Sequence, residues 1–185
     1  IGHHKERETL RQSAQGKNIA QAYLFVGPRS IGKSLCALEF ASFLTREPDF
    51  EPSEDKPHPY EVMVLRPTRE AKRGVTKVKN ISAESIREAL SFLSQFPVSG
   101  GFRVLIIEDA HRLSETAQNV LLKTLEEPQS SAVIILVTHE TGSLLGTVVS
   151  RVKKIRFDFV EEPMIREAVA GFYSSDQLST VAPFF

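Results

Sequence analysis

The sequence predicts an α/β domain in which helices flank a parallel sheet and a phosphate-binding loop lies at one edge of that sheet. Apolar, strand-like runs alternate along the chain with helical patterns, as they do when crossover helices connect parallel strands. The segment Gly-Pro-Arg-Ser-Ile-Gly-Lys-Ser at 27–34 satisfies the pattern G-x-x-x-x-G-K-[ST]. Two further apolar runs, at 104–107 and 132–137, end in polar or charged residues. Ligands bind beyond such strand ends in open parallel sheets.

Composition limits the classes of protein that fit. The 185 residues suffice for one domain, or for one domain and a fragment of a second, and 41% are apolar. Lys plus Arg and Asp plus Glu both number 23, so any contact with DNA must be local or made through partners. The absence of a signal peptide and of a long apolar run predicts a cytoplasmic protein with no membrane partner. Cys36, the single cysteine, excludes a disulfide framework and is expected to be a small core residue.

The first elements of the chain place the loop. A helical pattern covers about 5–15, a short buried-strand run covers 22–26, and a second helical pattern follows over about 33–45. A loop of this pattern binds phosphate when it joins a strand to a helix, which is the context found here.

The residues of the loop suit a bound phosphate. Glycines can adopt backbone angles that turn successive N–H groups toward an anion. Lys33 can reach the β- and γ-phosphates, Ser34 can offer its hydroxyl to Mg²⁺, and the helix presents its positive N-terminus. The alternative is a glycine-rich turn that happens to end in Lys-Ser. The predicted nucleotide-binding residues are Gly27, Pro28, Ser30, Gly32, Lys33, Ser34 and Leu35.

The next stretch is polar. Residues 46–59 carry four prolines and seven charged residues, which predicts a solvated excursion rather than core. Residues 60–65 return to strand character. The basic segment 66–79 has Gly74 between two possible short strands, which suggests a hairpin. A solvated face is favoured over a nucleic-acid contact for this segment.

Two carboxylates follow a buried strand. Ser82 is predicted to cap a helix that ends near 96–97, and the strand follows at 104–107. Because ligands bind beyond the carboxyl ends of parallel strands, Glu108 and Asp109 should face the phosphate loop. One of them could hold Mg²⁺ while the other orients an attacking water. The alternative is that both acids simply solvate a strand end.

The last strands repeat this arrangement. Ser114 is predicted to cap a helix, and the buried strand at 132–137 ends in Thr138. Thr138 could sense the γ-phosphate or an attacking water, or it could be an ordinary hydrogen-bonded strand end. His139 is interpreted as structural. A strand-like run then covers 153–159.

The segment Leu-Leu-Lys-Thr-Leu-Glu-Glu-Pro at 121–128, following Asp-Ala-His-Arg-Leu at 109–113, resembles the AAA+ clamp-loader subunits of bacterial DNA polymerase III. The segments 22–28 and 147–151 also match that family, in the same order. The resemblance points to the delta-prime type, with gamma/tau as the close relative. It implies an AAA+ P-loop NTPase domain.

The resemblance also implies an assembly and its cofactors. Subunits of this family form a five-membered arc that opens a ring-shaped sliding clamp with ATP bound and releases it on primed DNA after hydrolysis. The implied partners are the gamma/tau and delta subunits, with the clamp and primed DNA reached through the complex, and the implied cofactors are ATP and Mg²⁺. Residues 1–160 are expected to form the nucleotide-binding domain and 161–185 the beginning of a small helical lid, with the rest of the lid and a collar domain beyond this piece.

One arginine takes a role from the resemblance alone. In the family, a Ser-Arg-Cys segment supplies an arginine that reaches the nucleotide of the neighbouring subunit, which makes Arg151 a candidate finger acting in trans. Val152 replaces the cysteine of that segment. Without the resemblance, a buried intramolecular ion pair is the favoured interpretation of Arg151.

Two departures from the family pattern bear on activity. Gamma-type subunits have Asp-Glu at the metal and water-positioning places, whereas this chain has Glu108 and then Asp109. Misplacing a catalytic group by about 1 Å can cost about 10²-fold in rate, so weak or absent hydrolysis is expected. The family's zinc-module cysteines are missing from 46–59, so no zinc is expected there. Two hypotheses remain: a subunit that binds ATP, hydrolyses it poorly and lends Arg151 to its neighbour, and a gamma/tau-like motor that hydrolyses ATP itself.

Overall fold

The computed structural model describes residues 2–16, 19–46, 60–72, 75–161 and 164–165. The described chain forms a five-stranded parallel sheet and a separate two-stranded hairpin, so the predicted α/β fold class is confirmed. The predicted excursion at 46–59 and the predicted lid at 161–185 lie almost wholly outside the described residues.

The strands are β1 (Ala22–Val26), β2 (Val62–Leu65), β3 (Arg69–Lys72), β4 (Val75–Val78), β5 (Arg103–Ile107), β6 (Ala132–Thr138) and β7 (Lys153–Arg156). The helices are α1 (His4–Gln15), α2 (Lys33–Thr45), α3 (Ala83–Leu93), α4 (Glu115–Glu126) and the short α5 (Gly146–Val149), with a 3-10 turn at Ala110–Arg112. The parallel strands lie in the order β2-β5-β6-β1-β7. The phosphate loop therefore leaves the sheet beside β6, which in turn adjoins β5. This order brings the ends of the three strands that carry the predicted site residues side by side.

Both faces of the sheet are buried along β1, β5 and β6, which explains why these three strands are largely apolar runs. Along β1, Leu24 packs into a core shared with α3 and α4, while Tyr23 and Phe25 pack into a second core with α1 and α2. This alternation is the two-residue period of a strand. Cys36 lies in the second core, as predicted, and its burial raises the pKa of the thiol to about 11.

Serine caps fix the starts of two helices. The Ser82 hydroxyl accepts a hydrogen bond from the Ser85 N–H at 3.2 Å, and the Ser114 hydroxyl accepts one from the Ala117 N–H at 3.2 Å. Each hydroxyl satisfies one of the N–H groups that a helix start leaves without a partner. Both predicted caps are confirmed.

Two strands are shorter than predicted, and for one of them the neighbouring strand explains why. The run at 153–159 forms a strand only to Arg156, because its one partner, β1, ends at Val26 opposite Arg156. The run at 60–65 forms a strand only from Val62. The predicted hairpin is confirmed, since β3 and β4 pair antiparallel. Its turn, including Gly74, lies outside the described residues.

Among the helices that the structure describes, none combines the length and the apolar character needed to span a bilayer.

Candidate nucleotide-binding site

An open cleft of about 390 Å³ lies where the phosphate loop meets the carboxyl ends of β5 and β6. The structure brings into this cleft residues that are far apart in the chain. They include Ser30, Gly32, Lys33 and Ser34 from the loop, Glu108 and Asp109 after β5, and Thr138 and His139 at the end of β6. Of the other predicted loop residues, Gly27, Pro28 and Leu35 do not line the cleft.

The two glycines of the loop serve different purposes. Gly32 has φ 92°, a left-handed conformation that favours glycine, and it begins α2. Gly27 was expected to need special backbone angles too, but it is not among the residues of positive φ. A Cβ atom at position 27 would instead lie 2.1 Å from the carbonyl oxygen of Phe157. Gly27 is therefore required by the close approach of the chain that follows β7.

Lys33 is only 7% exposed, and its ammonium group donates hydrogen bonds to the carbonyl oxygens of Gly27, at 2.9 Å, and Pro28. Burial lowers its pKa from the ordinary value, and the nearby charge of Asp109 partly opposes that shift. The predicted contact with the β- and γ-phosphates requires this flexible side chain to exchange the loop carbonyls for phosphate oxygens. Contact with a nucleotide thus stays a prediction for Lys33.

The two acids have different surroundings. Glu108 accepts two hydrogen bonds from Arg66, at 2.7 and 3.3 Å, and its side chain is only 16% exposed. Asp109 is exposed and has φ 48°, so it holds a left-handed backbone conformation that is uncommon outside glycine. The predicted magnesium ligand is therefore paired with an arginine, while the predicted water-positioning acid projects from a strained turn.

The Arg66 contact was missed by the sequence interpretation, which grouped Arg66 with a solvated basic segment. Arg66 follows β2, the neighbour of β5, and Arg69 also lines the cleft. Part of that segment therefore borders the candidate site, while Arg66 and Arg69 remain exposed to solvent as predicted. The sequence shows that an arginine follows one strand and a glutamate another, but only the strand order makes these two strands neighbours.

Thr138 is 1% exposed, and its hydroxyl is hydrogen-bonded within the chain. It donates to the Glu140 carbonyl oxygen at 2.6 Å and accepts from the Glu140 N–H at 3.2 Å. These bonds are those of a satisfied strand end, which was one of the two interpretations. A sensor role for Thr138 stays a prediction.

Two histidines meet in the cleft, and sequence reasoning had given neither a chemical role. The rings of His111 and His139 have centroids 4.1 Å apart in an edge-to-face arrangement. Burial, and then the charge of His139, lowers the pKa of His111 from its ordinary value. His139 contacts the phosphate loop through Arg29, with 2.9 Å between Nε2 and the guanidinium nitrogen.

Arg151 lies outside this cleft, just after α5. Its guanidinium pairs with Glu126 at 2.9 Å and donates to the Thr147 carbonyl oxygen at 3.0 Å. The side chain is 37% exposed, so the intramolecular ion pair is real but is not buried as the alternative interpretation expected. Arg151 lines a second, smaller depression of about 150 Å³ together with Thr124, Pro128 and Lys153.

A family model described as "DNA polymerase III, delta subunit" matches residues 2–161. The chain belongs to this family. The resemblance to DNA polymerase III clamp-loader AAA+ subunits is thereby confirmed at the level of the family.

Individual members of the polymerase III family show how far the likeness extends. The chain is 32% identical over 184 residues to DNA polymerase III subunit tau of Bacillus subtilis, covering 92% of this chain and 30% of the relative. It is 34% identical over 143 residues to DNA polymerase III subunit delta' of Pseudomonas aeruginosa, covering 71% of this chain and 41% of the relative. The chain thus spans less than half the length of either relative.

Solved structures agree with the fold. A DNA polymerase III gamma subunit-related protein of Thermotoga maritima superposes with a TM-score of 0.69 at 25% identity, over 96% of this chain and 53% of that one. The Thermotoga maritima RuvB Holliday junction branch migration motor gives a TM-score of 0.62 at 20% identity, over 92% of this chain and 50% of that one. The second likeness shows the fold alone. The predicted AAA+ architecture is confirmed.

Proposed function

We propose that this chain is a delta-prime-like subunit of the DNA polymerase III clamp loader that binds ATP with Mg²⁺ in the cleft and hydrolyses it slowly. The observation that carries the proposal is the position of Lys33, on a complete phosphate loop, in one cleft with Glu108 and Asp109. Backbone N–H groups of the loop and the start of α2 offer partial positive charge to a phosphate. Ser34 and Glu108 are the residues that would hold Mg²⁺.

Slow hydrolysis is supported by the state of the two acids. Arg66 occupies both oxygens of Glu108, so a cation at Glu108 must compete with a guanidinium. Asp109 is one methylene shorter than the glutamate expected at the water-positioning place. Since catalysis depends on placing such groups to within about 1 Å, both features favour binding over turnover.

A role in trans is supported by the place of Arg151. It lies on the surface, partly exposed, and outside the cleft that holds Lys33. An arginine supplied to a neighbour's nucleotide can stabilise the charge that develops on the transferred phosphoryl group. We propose that Arg151 leaves Glu126 to act in this way when a neighbouring subunit is bound.

The proposed partners are the gamma/tau and delta subunits, and through them the sliding clamp and primed DNA. A second candidate function is a gamma/tau-like motor that hydrolyses ATP itself. The observation that favours it is the likeness to the tau subunit of Bacillus subtilis, which covers 92% of this chain.

Equilibrium binding of Mg-ATP to the chain, followed in the same samples for phosphate release, tests the proposal. Lys33→Ala should abolish the binding, whereas Lys5→Ala, which removes an exposed lysine on α1, should leave it unchanged. Binding without release supports the slow subunit, and rapid release supports the motor. Equal binding by wild type and Lys33→Ala would overturn the proposed site.

A further inference from the structure

Asp109, His111 and His139 form a cluster in the cleft. One ligand atom from each residue can be chosen so that all three lie within 4.8 Å of one another. Asp109 and His111 flank the start of the 3-10 turn after β5, while His139 directly follows β6. The adjacency of β5 and β6 therefore brings together one carboxylate and two imidazoles.

We propose that Asp109, His111 and His139 bind a divalent transition-metal ion, of the kind represented by Zn²⁺ or Co²⁺. Imidazole nitrogen suits Zn²⁺, Co²⁺ and Ni²⁺, whereas Mg²⁺ prefers oxygen ligands. Three protein ligands with open positions are also the usual arrangement of a catalytic rather than a structural zinc site. This site differs from the magnesium position proposed at Ser34 and Glu108, and from the cysteine zinc module whose residues the chain lacks.

The hydrogen bonds around His111 leave one of its nitrogens available as a ligand. The single hydroxyl proton of Thr138 is donated to the Glu140 carbonyl oxygen at 2.6 Å. The contact of 3.3 Å between Thr138 Oγ1 and His111 Nδ1 therefore has Nδ1–H as its donor. With the proton on Nδ1, the lone pair of a neutral His111 is on Nε2. A partner that holds one ring nitrogen and frees the other is typical of metal-binding histidines.

The second ring is also oriented by its neighbour. A guanidinium group can only donate, so the 2.9 Å contact between Arg29 and His139 makes Nε2 of His139 the acceptor. His139 thus directs a lone pair toward a cation that already lies beside it. A metal ion bound through Nε2 would replace Arg29, and Arg29, which is exposed, can move away without leaving a buried charge.

A metal ion bound by this cluster would change the charge and the free coordination positions that the cleft presents. Asp109 is exposed and both histidines are half-buried, so coordination positions not filled by protein would open toward the cleft. Metal binding by these three residues needs no nucleotide, although the cluster shares Asp109 and the cleft with the proposed ATP site. An ion held there would neutralise Asp109, the residue whose charge reaches Lys33.

Titration of the full chain with Co²⁺ tests the inference, because Co²⁺ bound to nitrogen ligands gives visible absorption bands. The amount of Co²⁺ at which these bands stop growing gives the number of sites per chain. We expect one site per chain, with bands that persist in excess Mg²⁺. Losing a mere supporting partner of a metal ligand costs about 10 to 100-fold in affinity. His111→Ala and His139→Ala should therefore each weaken Co²⁺ binding by at least about 100-fold.

Matched variants separate this site from other histidines and from misfolding. His4→Ala removes an exposed histidine on α1 and should leave the Co²⁺ affinity unchanged. Arg29→Ala removes the competing cation and should strengthen binding. Asp109→Asn, which keeps the shape of the side chain, should weaken binding with an unchanged thermal unfolding midpoint. Equal affinity in wild type and both histidine variants, or the absence of a one-to-one site in wild type, would overturn the proposal.

Discussion

Gly27 illustrates how one residue of a motif can be required by tertiary packing. The phosphate-loop pattern demands glycine at this position, and backbone freedom was the expected reason. In the structure, the chain after β7 passes so close that the Phe157 carbonyl oxygen occupies the place of a side chain. The Phe157 N–H also donates to the Val26 carbonyl oxygen at 2.8 Å, which holds this contact in place.

Gly27→Ala should lower the free energy of unfolding, because its methyl group must displace backbone rather than a flexible side chain. Overpacking of this kind typically costs about 1–3 kcal/mol or more. Gly142→Ala is the matched control, since nothing lies within 4 Å of a Cβ atom there. Denaturant unfolding of both variants gives the comparison, and equal stability of the two would contradict the steric argument.

Arg66 is the second residue whose role depends on its contacts. Because its pairing with Glu108 competes with Mg²⁺ in the proposed site, Arg66→Ala should raise the apparent affinity for Mg²⁺ during ATP binding. Partly exposed ion pairs contribute about 0.2–1 kcal/mol, so the expected gain in apparent Mg²⁺ affinity is no more than about 5-fold.

Arg87→Ala provides the control for Arg66→Ala. It also removes an arginine from an exposed ion pair, with Glu84 at 3.0 Å, but on α3 and away from the cleft. Titrations of Mg²⁺ at constant ATP measure the effect. An Arg66→Ala chain with weaker Mg²⁺ affinity would show that the arginine organises Glu108 rather than blocks it.

At the scale of elements, local chemistry determined where helices begin. Ser82 and Ser114 were identified from the sequence as caps, because a serine before an apolar helical pattern can satisfy a free N–H group. Strand lengths, in contrast, depended on partners. β7 stops where β1 stops, although the apolar character of its sequence continues.

Ser82→Ala should destabilise the domain by about 1 kcal/mol, the typical cost of losing an N-cap. Ser91→Ala, at an exposed interior position of the same helix, should change stability by less than about 0.5 kcal/mol. Thermal or urea unfolding distinguishes them. An equal loss of stability in Ser91→Ala and Ser82→Ala would contradict the capping role of Ser82.

The start of β2 is tied to the loop after α3 by Glu61, which is 2% exposed. Burial alone would raise the pKa of Glu61, but hydrogen bonds from the Ser99 hydroxyl and N–H, and the charge of Arg103, lower it overall. A carboxyl group with a folded pKa below its unfolded value of about 4.3 stabilises the protein above that pH. This contribution is lost as pH falls through the folded pKa.

Glu61→Gln should therefore destabilise the domain at pH 7 and make stability less dependent on pH below about 4.3. Glu88→Gln, at an exposed position on α3, should retain the acid dependence of the wild type. Urea unfolding from pH 3 to pH 7 tests this. A Glu61→Gln chain as acid-sensitive as wild type would refute the assignment.

At the scale of the whole molecule, the strand order separates the two regions to which we assign proposed functions. The cleft lies at the carboxyl ends of β1, β5 and β6, whereas Arg151 lies beside the depression formed by Thr124, Pro128 and Lys153. Arg151 lies outside the candidate nucleotide cleft of its own chain and is partly exposed, which is the geometric basis of the proposed role in trans.

Arg151→Ala should leave ATP binding by this chain intact and slow hydrolysis at the neighbouring site in the reconstituted clamp loader. Arginine fingers contribute about 10³ to 10⁵-fold in rate, so the rate of hydrolysis at the neighbouring subunit's site should fall by a large factor. Glu126→Gln breaks the observed ion pair while retaining Arg151, and it should not slow hydrolysis. Unchanged turnover in the Arg151→Ala assembly would remove the role in trans.

Much of the fold could be predicted because its signals are local. Buried strands of a parallel sheet are apolar throughout, serine caps precede helices, and the phosphate loop has a distinctive spacing. Three predicted boundaries, those of β1, α2 and the Ser82-capped start of α3, agree with the structure. The predicted site residues Lys33, Glu108 and Thr138 share a cleft. Lys33 follows the loop after one parallel strand, and Glu108 and Thr138 lie at the carboxyl ends of two others, and such ends meet at one edge of a parallel sheet.

By itself, the sequence determined the α/β class and the phosphate loop, since these depend on periodicity and spacing along the chain, while the resemblance of segments such as 121–128 pointed to a polymerase III family. Only the tertiary structure decided that Arg66 pairs with Glu108, that Gly27 makes room for Phe157, and that Lys33 is held by loop carbonyls. It also decided that His111 and His139 meet. The Lys33 contacts lie within one loop, but each of the others joins the ends of different elements, and the distance between such ends is set by the order of strands in the sheet and not by their separation in sequence.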